Sequence, residues 1–124
     1  MVTALRLPPA DGVRTAYVKL RRRGSIDFPL AGAGVALRLA PDGTVDGARI
    51  VMSGVGSHPV EASAADEFLR GKRPDRAVIV QAAELAAKPA KPLDNADLSH
   101  FWRKRMVRVL VEQALEKAVG RSHL

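Results

Sequence analysis

Two stretches of the chain alternate apolar positions with small or polar ones at a period of two. From Leu30 to Leu39, Ala33, Val35, Leu37 and Leu39 fall on one side and Gly32, Gly34, Ala36 and Arg38 on the other. From Val45 to Val55, Ala48, Ile50 and Met52 oppose Arg49, Val51, Ser53 and Val55. This is the side-chain period of a β-strand, and the small side of the first run predicts room for a helix to approach closely. Between the runs, Pro41-Asp42-Gly43-Thr44 supplies the fixed φ of proline and the positive φ open to glycine, so the two strands are expected to form an antiparallel hairpin. Upstream, from Ala16 to Arg23, Val18 and Leu20 alternate with Tyr17, Lys19 and Arg21, a pattern open to a strand or a single helical turn, which Gly24-Ser25 ends. Leu5 to Leu7 is a shorter alternating piece, closed by Pro8-Pro9 and Asp11-Gly12; it has the look of an entering strand end, not of a self-contained start.

After His58-Pro59 the period changes. Glu61 to Arg70 carries Ala62, Ala65, Phe68 and Leu69 at helical spacing and runs into Gly71, a C-capping residue. Asp75 is placed to cap a second helix, Arg76 to Ala87, with Val78, Ala82, Leu85 and Ala86 as its apolar stripe. Lys88-Pro89-Ala90-Lys91-Pro92 breaks the chain as an extended loop. The longest helix is predicted over Ser99 to Val119, with Trp102, Met106, Leu110, Ala114 and Ala118 on one stripe beside Val107, Val111 and Leu115. Trp102 is expected to be a core anchor, with a partner interface as the other use of such a residue. Glu112 and Glu116 are expected to face away and to repel slightly. Gly120 ends the helix and residues 121–124 are expected to fray. Together these elements predict an α+β fold: a small antiparallel β-sheet of about three strands, the third drawn from the entrance or the His58 region, covered on one face by about three helices.

With 124 residues, the chain is expected to be a single domain over residues 1–124 that folds alone. Only five residues are aromatic, so its core must be thin and built from alanine and valine. The absence of cysteine excludes disulfides, thiolate metal sites, iron–sulfur ligation and cysteine nucleophiles, so redox chemistry would need a bound cofactor. No run approaches the roughly 20 apolar residues that cross a bilayer, and the start lacks a signal-peptide core, so a cytoplasmic setting without membrane contact is expected. A formal charge of +7 raises an acidic partner as a possibility. The excess is mostly arginine within an Ala, Gly, Val, Pro and Asp surplus of the sort a GC-rich coding sequence imposes. Without aromatic companions or a reading motif, nucleic acid is not the expected partner.

Nothing in the chain assembles a catalytic centre. Gly32-Ala33-Gly34 and Gly54-Val55-Gly56 lack the third glycine and the following helix of a dinucleotide fingerprint, and Gly71-Lys72-Arg73 leads into proline. His58, His100 and His123 are far apart and lack metal-ligand spacing. The serines have no nucleophile-elbow context, and Asp94 and Asp97 suit a loop and a cap better than an acid–base pair. The densest cation run is Lys19, Arg21, Arg22 and Arg23, with Tyr17 just before it. It is either a solvated edge or an edge turned toward an anion, because arginine forks and a lysine point charge suit phosphate and carboxylate.

The order Tyr17-x-Lys19-x-x-Arg22-Arg23, Asp27-Phe28-Pro29, an Ala/Val-rich strand, the Asp42-Gly43 turn and Ala48-Arg49-Ile50-x-x-Ser53-Gly54-Val55-Gly56 resembles the C-terminal domain of the FAD-carrying subunit of molybdenum hydroxylases. That family includes carbon monoxide dehydrogenase, xanthine dehydrogenase and 4-hydroxybenzoyl-CoA reductase. Pro92-x-Asp94, Ala96-Asp97-Leu98-Ser99 and Phe101-Trp102-Arg103 stand where the family has its later motifs, so the likeness covers nearly the whole chain. The resemblance implies the same α+β arrangement. It implies an oxidoreductase complex in which electrons pass from a molybdenum site through iron–sulfur clusters to FAD. The FAD-binding domain and the iron–sulfur and molybdenum subunits are the implied partners. The family's glycine-rich pyrophosphate loops lie in two preceding domains and are not in this sequence, so the chain alone is expected neither to hold FAD tightly nor to catalyse. By resemblance Tyr17, Lys19, Arg23 and Asp27 form a flavin-side edge, with Lys19 able to approach the isoalloxazine ring. The reading from another class is a stand-alone basic module that binds nucleic acid or another polyanion through Lys19 to Arg23 and Arg103 to Arg108.

Overall fold

A computed structural model describes residues 1–7, 12–20, 31–56, 58–90 and 100–120, apart from the side chains of His100, Phe101 and Arg103. Four strands, β1 (Val13–Leu20), β2 (Ala31–Leu39), β3 (Val45–Ser53) and β4 (Val60–Glu61), precede three helices, α1 (Ser63–Leu69), α2 (Arg76–Ala87) and α3 (His100–Ala118). The sheet is an antiparallel meander in the order β1-β2-β3-β4. The expected α+β fold is therefore present with one strand more than predicted: the His58 region supplies β4 and the segment around Ala16 supplies β1, while Leu5 to Leu7, expected as an entering strand end, forms no strand. The segment from Ala16 that sequence left open is strand, beginning at Val13.

The hairpin turn is built as its residues require. Asp42 Oδ1 accepts from the Thr44 amide at 3.0 Å and from the Thr44 hydroxyl at 2.7 Å, while Gly43 takes φ +88°. The Thr44 hydroxyl, and then its amide, hold the Asp42 carboxyl below the usual carboxylate range.

Register fixes the two faces, because directly paired residues share one. Val18, Ala33 and Met52 form one row, and Ala16, Val35 and Ile50 the next; this face lies under the helices. Leu37, Ile50, Met52, Leu69, Ile79 and Leu115 are the largest fully buried side chains. The helical layer is lined with Ala82, Ala83, Ala86, Ala114 and Ala118, the thin core that composition implied. Helix α2 has the predicted bounds, and Asp75 Oδ1 accepts from the Val78 amide at 2.9 Å as its N-cap. Gly71, at φ +80°, lies just past the end of α1.

The outer edge of β3 is longer than the two-residue β4 that pairs with it. Other groups satisfy it at Ile50 and Val45. The Ile50 carbonyl accepts from the Ala62 amide and the Ile50 amide donates to Asp66 Oδ1, both at 2.9 Å. Farther along, the Val45 carbonyl accepts from Gly71 N at 2.7 Å, and Val45 N donates to the Lys72 carbonyl at 2.9 Å.

Two expectations about α3 are corrected. Trp102 is 39% exposed and not a core anchor, since the burial of the helix is carried from Val107 onward. Glu112 and Glu116 do not face away to repel each other: Arg76, at the start of α2, reaches between them, with Nη2 2.6 Å from Glu112 Oε1 and Nη1 2.6 Å from Glu116 Oε1. Glu116 is buried, and the guanidinium gives its carboxylate a charge partner and a donor that water would otherwise supply.

Candidate functional site

The helices leave the second face of the sheet uncovered. Strand β1 contributes Thr15, Tyr17 and Lys19 to it, β2 contributes Gly32, Gly34, Ala36 and Arg38, and β3 contributes Gly47, Arg49, Val51 and Ser53. Tyr17 pairs with Gly34 and Lys19 with Gly32. The Tyr17 ring leans along this glycine track. A Cβ built on Gly32 would lie 2.6 Å from the Tyr17 hydroxyl and 2.7 Å from Ser53 Oγ, and one on Gly34 would lie 3.8 Å from Tyr17 Cδ2.

This corrects the expectation that the small side of β2 admits a helix. The helices all bury the Ala33-Val35-Leu37 side, and the glycines instead seat an aromatic ring from the neighbouring strand, which covers backbone that would otherwise be bare. Tyr17 remains 51% exposed, so an apolar ring with a hydroxyl at its end is presented outward beside the exposed ammonium of Lys19.

At the other end of the same face lies a shallow depression of about 310 Å³, with Ala36 and Gly47 in its lining and Arg38, Arg49 and Asp46 around it. Arg49 is held by Glu61 across the strand edge, Nε to Oε1 3.1 Å. Behind Glu61, on the helix side, burial raises the Asp66 carboxyl to about 6. The hydrogen bond from Ile50 opposes that rise, and the charge of Glu61 adds to it.

Of the four residues assigned to a flavin-side edge, Tyr17 and Lys19 come together on the uncovered face; Arg23 and Asp27 lie outside the described residues, as do Arg21 and Arg22. The Pro92 to Ser99 motif lies outside them as well. Sequence reasoning missed the seat for Tyr17. The signal was available in Tyr17-x-Lys19 and Gly32-x-Gly34, which match in spacing once β1 and β2 are paired. It also missed Asp66, whose role depends on a contact sixteen residues away and leaves no local pattern. Among the described residues no group of three His, Asp or Glu side chains is placed to hold a metal ion, and no helix is long and apolar enough to cross a membrane. Along α3, Lys104 donates to the Lys88 carbonyl at 3.3 Å and Arg108 lies 4.0 Å from Glu84, so part of the predicted polyanion surface is turned onto α2.

Comparison with known proteins gives a consistent set of relatives. Residues 15–118 match the model of the CO dehydrogenase flavoprotein C-terminal domain. The chain is 30% identical over 123 residues to the carbon monoxide dehydrogenase medium chain of Afipia carboxidovorans, covering 98% of this chain and 42% of that one. It is 25% identical over 117 residues to the glyceraldehyde dehydrogenase medium chain of Sulfolobus acidocaldarius, covering 94% of this chain and 41% of that one. Among solved structures, carbon monoxide dehydrogenase from Hydrogenophaga pseudoflava superposes with a TM-score of 0.83 at 30% identity, over 91% of this chain and 39% of that one. Quinoline 2-oxidoreductase from Pseudomonas putida 86 gives 0.81 at 26% identity, over 90% and 39%. The chain thus spans about two fifths of the length of each.

Proposed function

The chain belongs to the CO dehydrogenase flavoprotein C-terminal domain family, and from that membership we propose that it is the lobe which closes the flavin side of a molybdenum hydroxylase-type oxidoreductase. In this reading the uncovered sheet face packs toward an FAD-binding domain, and iron–sulfur and molybdenum subunits are the further partners. The observation that carries it is the placement of Tyr17 and Lys19 side by side on the sheet face that the helices leave bare.

The residues present fit one wall of an FAD site. Tyr17 offers a flat ring, backed by Gly32 and Gly34, of the width a planar heterocycle can lie against, and Lys19 offers a cation two residues along. They do not form a pyrophosphate cradle: the N-terminus of α2 is already capped by the Asp75 side chain, and the glycine pairs sit within a strand or just after one. The chain accordingly contributes to a flavin held mainly by other polypeptide, and FAD bound there would supply the acceptor for electron pairs. Lys19 places positive charge where an electron acceptor gains negative charge, which raises its reduction potential. Tyr17 excludes water from the same side.

The test is Lys19→Met in the assembled enzyme. The flavin midpoint potential should fall by an amount of order 30 mV, equivalent to about 1.4 kcal/mol for a two-electron couple. An unchanged potential removes Lys19 from the flavin side. Failure of the chain to co-purify with any flavin-carrying polypeptide from its own genome, scored by visible flavin absorbance, would overturn the whole reading.

A further inference from the structure

Helix α3 has two apolar sides, and the core uses one of them. Val107, Leu110, Val111, Ala114 and Leu115 are buried in the interior that α3 shares with the sheet and α2. On the opposite side Trp102, Met106, Val109 and Gln113 follow one another at steps of four, three and four residues, the spacing of a seam between paired helices. None of the four is buried: Trp102 is 39% exposed, Gln113 is exposed, and Met106 and Val109 are partly so. This stripe is turned away from the sheet, so a partner packed on the bare sheet face does not reach it.

The two ends of the stripe are complementary. At its start Trp102 offers a large ring, with Arg105 exposed on the flank, while the neighbouring Lys104 and Arg108 are turned onto α2. At its end lies a groove of about 260 Å³ lined by Arg76, Val109, Glu112, Gln113 and Glu116. Arg76 stands against both carboxylates and balances one of them, so the groove stays acidic. Arg105 and Glu112 are seven residues apart and therefore lie on the same flank of the helix, two turns from each other. A knob and a hole, a cation and an acid, at opposite ends of one face make a surface complementary to itself under a two-fold axis.

We propose that α3 pairs with the α3 of a second copy of this chain, antiparallel about a two-fold axis midway between Met106 and Val109. That register sets Met106 of each copy against Val109 of the other, seats each Trp102 ring at Gln113 in the opposite groove, and brings each Arg105 alongside the opposite Glu112. A parallel pairing would set Arg105 against Arg105 and leave both grooves empty. An acidic helix of another polypeptide would satisfy Arg105 but meet Glu112 and Glu116 with like charge, so the second copy is the better occupant. A single helix seam is a small interface, and the pairing is expected to be weak and concentration-dependent. It uses the side of the molecule away from the bare sheet face and stands independently of the proposed function.

Trp102 is the chain's only tryptophan, so its emission reports the contact directly. The experiment is sedimentation velocity with tryptophan fluorescence on the full chain, diluted from millimolar to submicromolar, for wild type, Arg105→Glu and Trp102→Ala, the last read by sedimentation alone. Neither side chain is in the core, so both variants should keep the wild-type Tm where the chain is monomeric. The expected result is a dimer whose dissociation shifts the emission to the red, weakened roughly tenfold or more by either substitution. The chain has no cysteine, so mixing Met106→Cys with Val109→Cys chains reads the register, and the mixed disulfide should form. A monomer throughout the dilution overturns the proposal, and so does a dimer that both substitutions leave unchanged. A chain that stays monomeric while its tryptophan emission moves to the blue on addition of a flavin-carrying or iron–sulfur polypeptide from the same genome assigns the stripe to that partner and overturns the second copy.

Discussion

Asp66 does the work of a strand residue from within a helix: its carboxylate completes the outer edge of β3 at Ile50, where β4 is too short to reach. Burial raises this carboxyl from 3.8 to about 6, so the folded chain holds the proton more tightly than the unfolded chain does. The contribution to stability is then fully present below pH 3.8 and is lost as pH rises through about 6. Urea midpoints measured across that window should fall with rising pH, and Asp66→Asn should flatten the slope. Asp66→Ala, by leaving the Ile50 amide without its acceptor, is expected to cost about 1 kcal/mol at neutral pH, the lower part of the range because the site is only partly buried. At Gly32 the prediction differs in kind. A methyl group there would overlap the Tyr17 hydroxyl and Ser53 Oγ, both ends of side chains able to turn away. Gly32→Ala should therefore keep most of the stability, within about 1 kcal/mol, while the NMR resonances of the chain's only tyrosine shift as its ring leaves the glycine track.

Among the elements, α2 is the one whose sequence and structure agree residue for residue, because Asp75 at its cap and alanine along its face are local signals. Asp75→Ala should lower stability by about 1 kcal/mol, read from thermal or urea unfolding. The hairpin was equally legible, since Pro41 to Thr44 carries its own turn chemistry. What the periodicities could not show was anything decided between elements. A helical wheel places Glu116 on α3 but cannot reveal Arg76 arriving from forty residues upstream, and it scores Trp102 as apolar without knowing that its turn lies beyond the packed part of the helix. Glycines in alternation told of a smooth strand face and not of what would lie on it. The Arg76 link makes a graded prediction. Arg76→Ala strands a buried carboxylate and should lower Tm several times more than Glu112→Ala, which leaves the Arg76–Glu116 contact in place.

At the scale of the molecule, a single layer of helices on one face of a four-stranded sheet leaves the protein two-sided, with a closed apolar interior behind and a tyrosine, a lysine and two arginines in front. Sequence disclosed this asymmetry in outline through the α+β pattern, while the use proposed for the bare face draws on the resemblance and not on the residues alone. A partner that binds only the folded form should stabilise it by mass action. Saturating flavin-domain polypeptide at about a hundred times its Kd is expected to add about 2.7 kcal/mol to the unfolding free energy of this chain, measurable as a concentration-dependent rise in Tm.

Helix α3 packs beneath β1 and β2 and supplies Val107, Leu110, Val111, Ala114 and Leu115 to the interior, although it follows every other element among the described residues. During synthesis the meander and the two shorter helices therefore leave the ribosome with their shared floor still missing, and the cavity between them stays open to water until the closing residues emerge. A premature stop codon shortly before position 107 would release a nascent product with no way to seal itself.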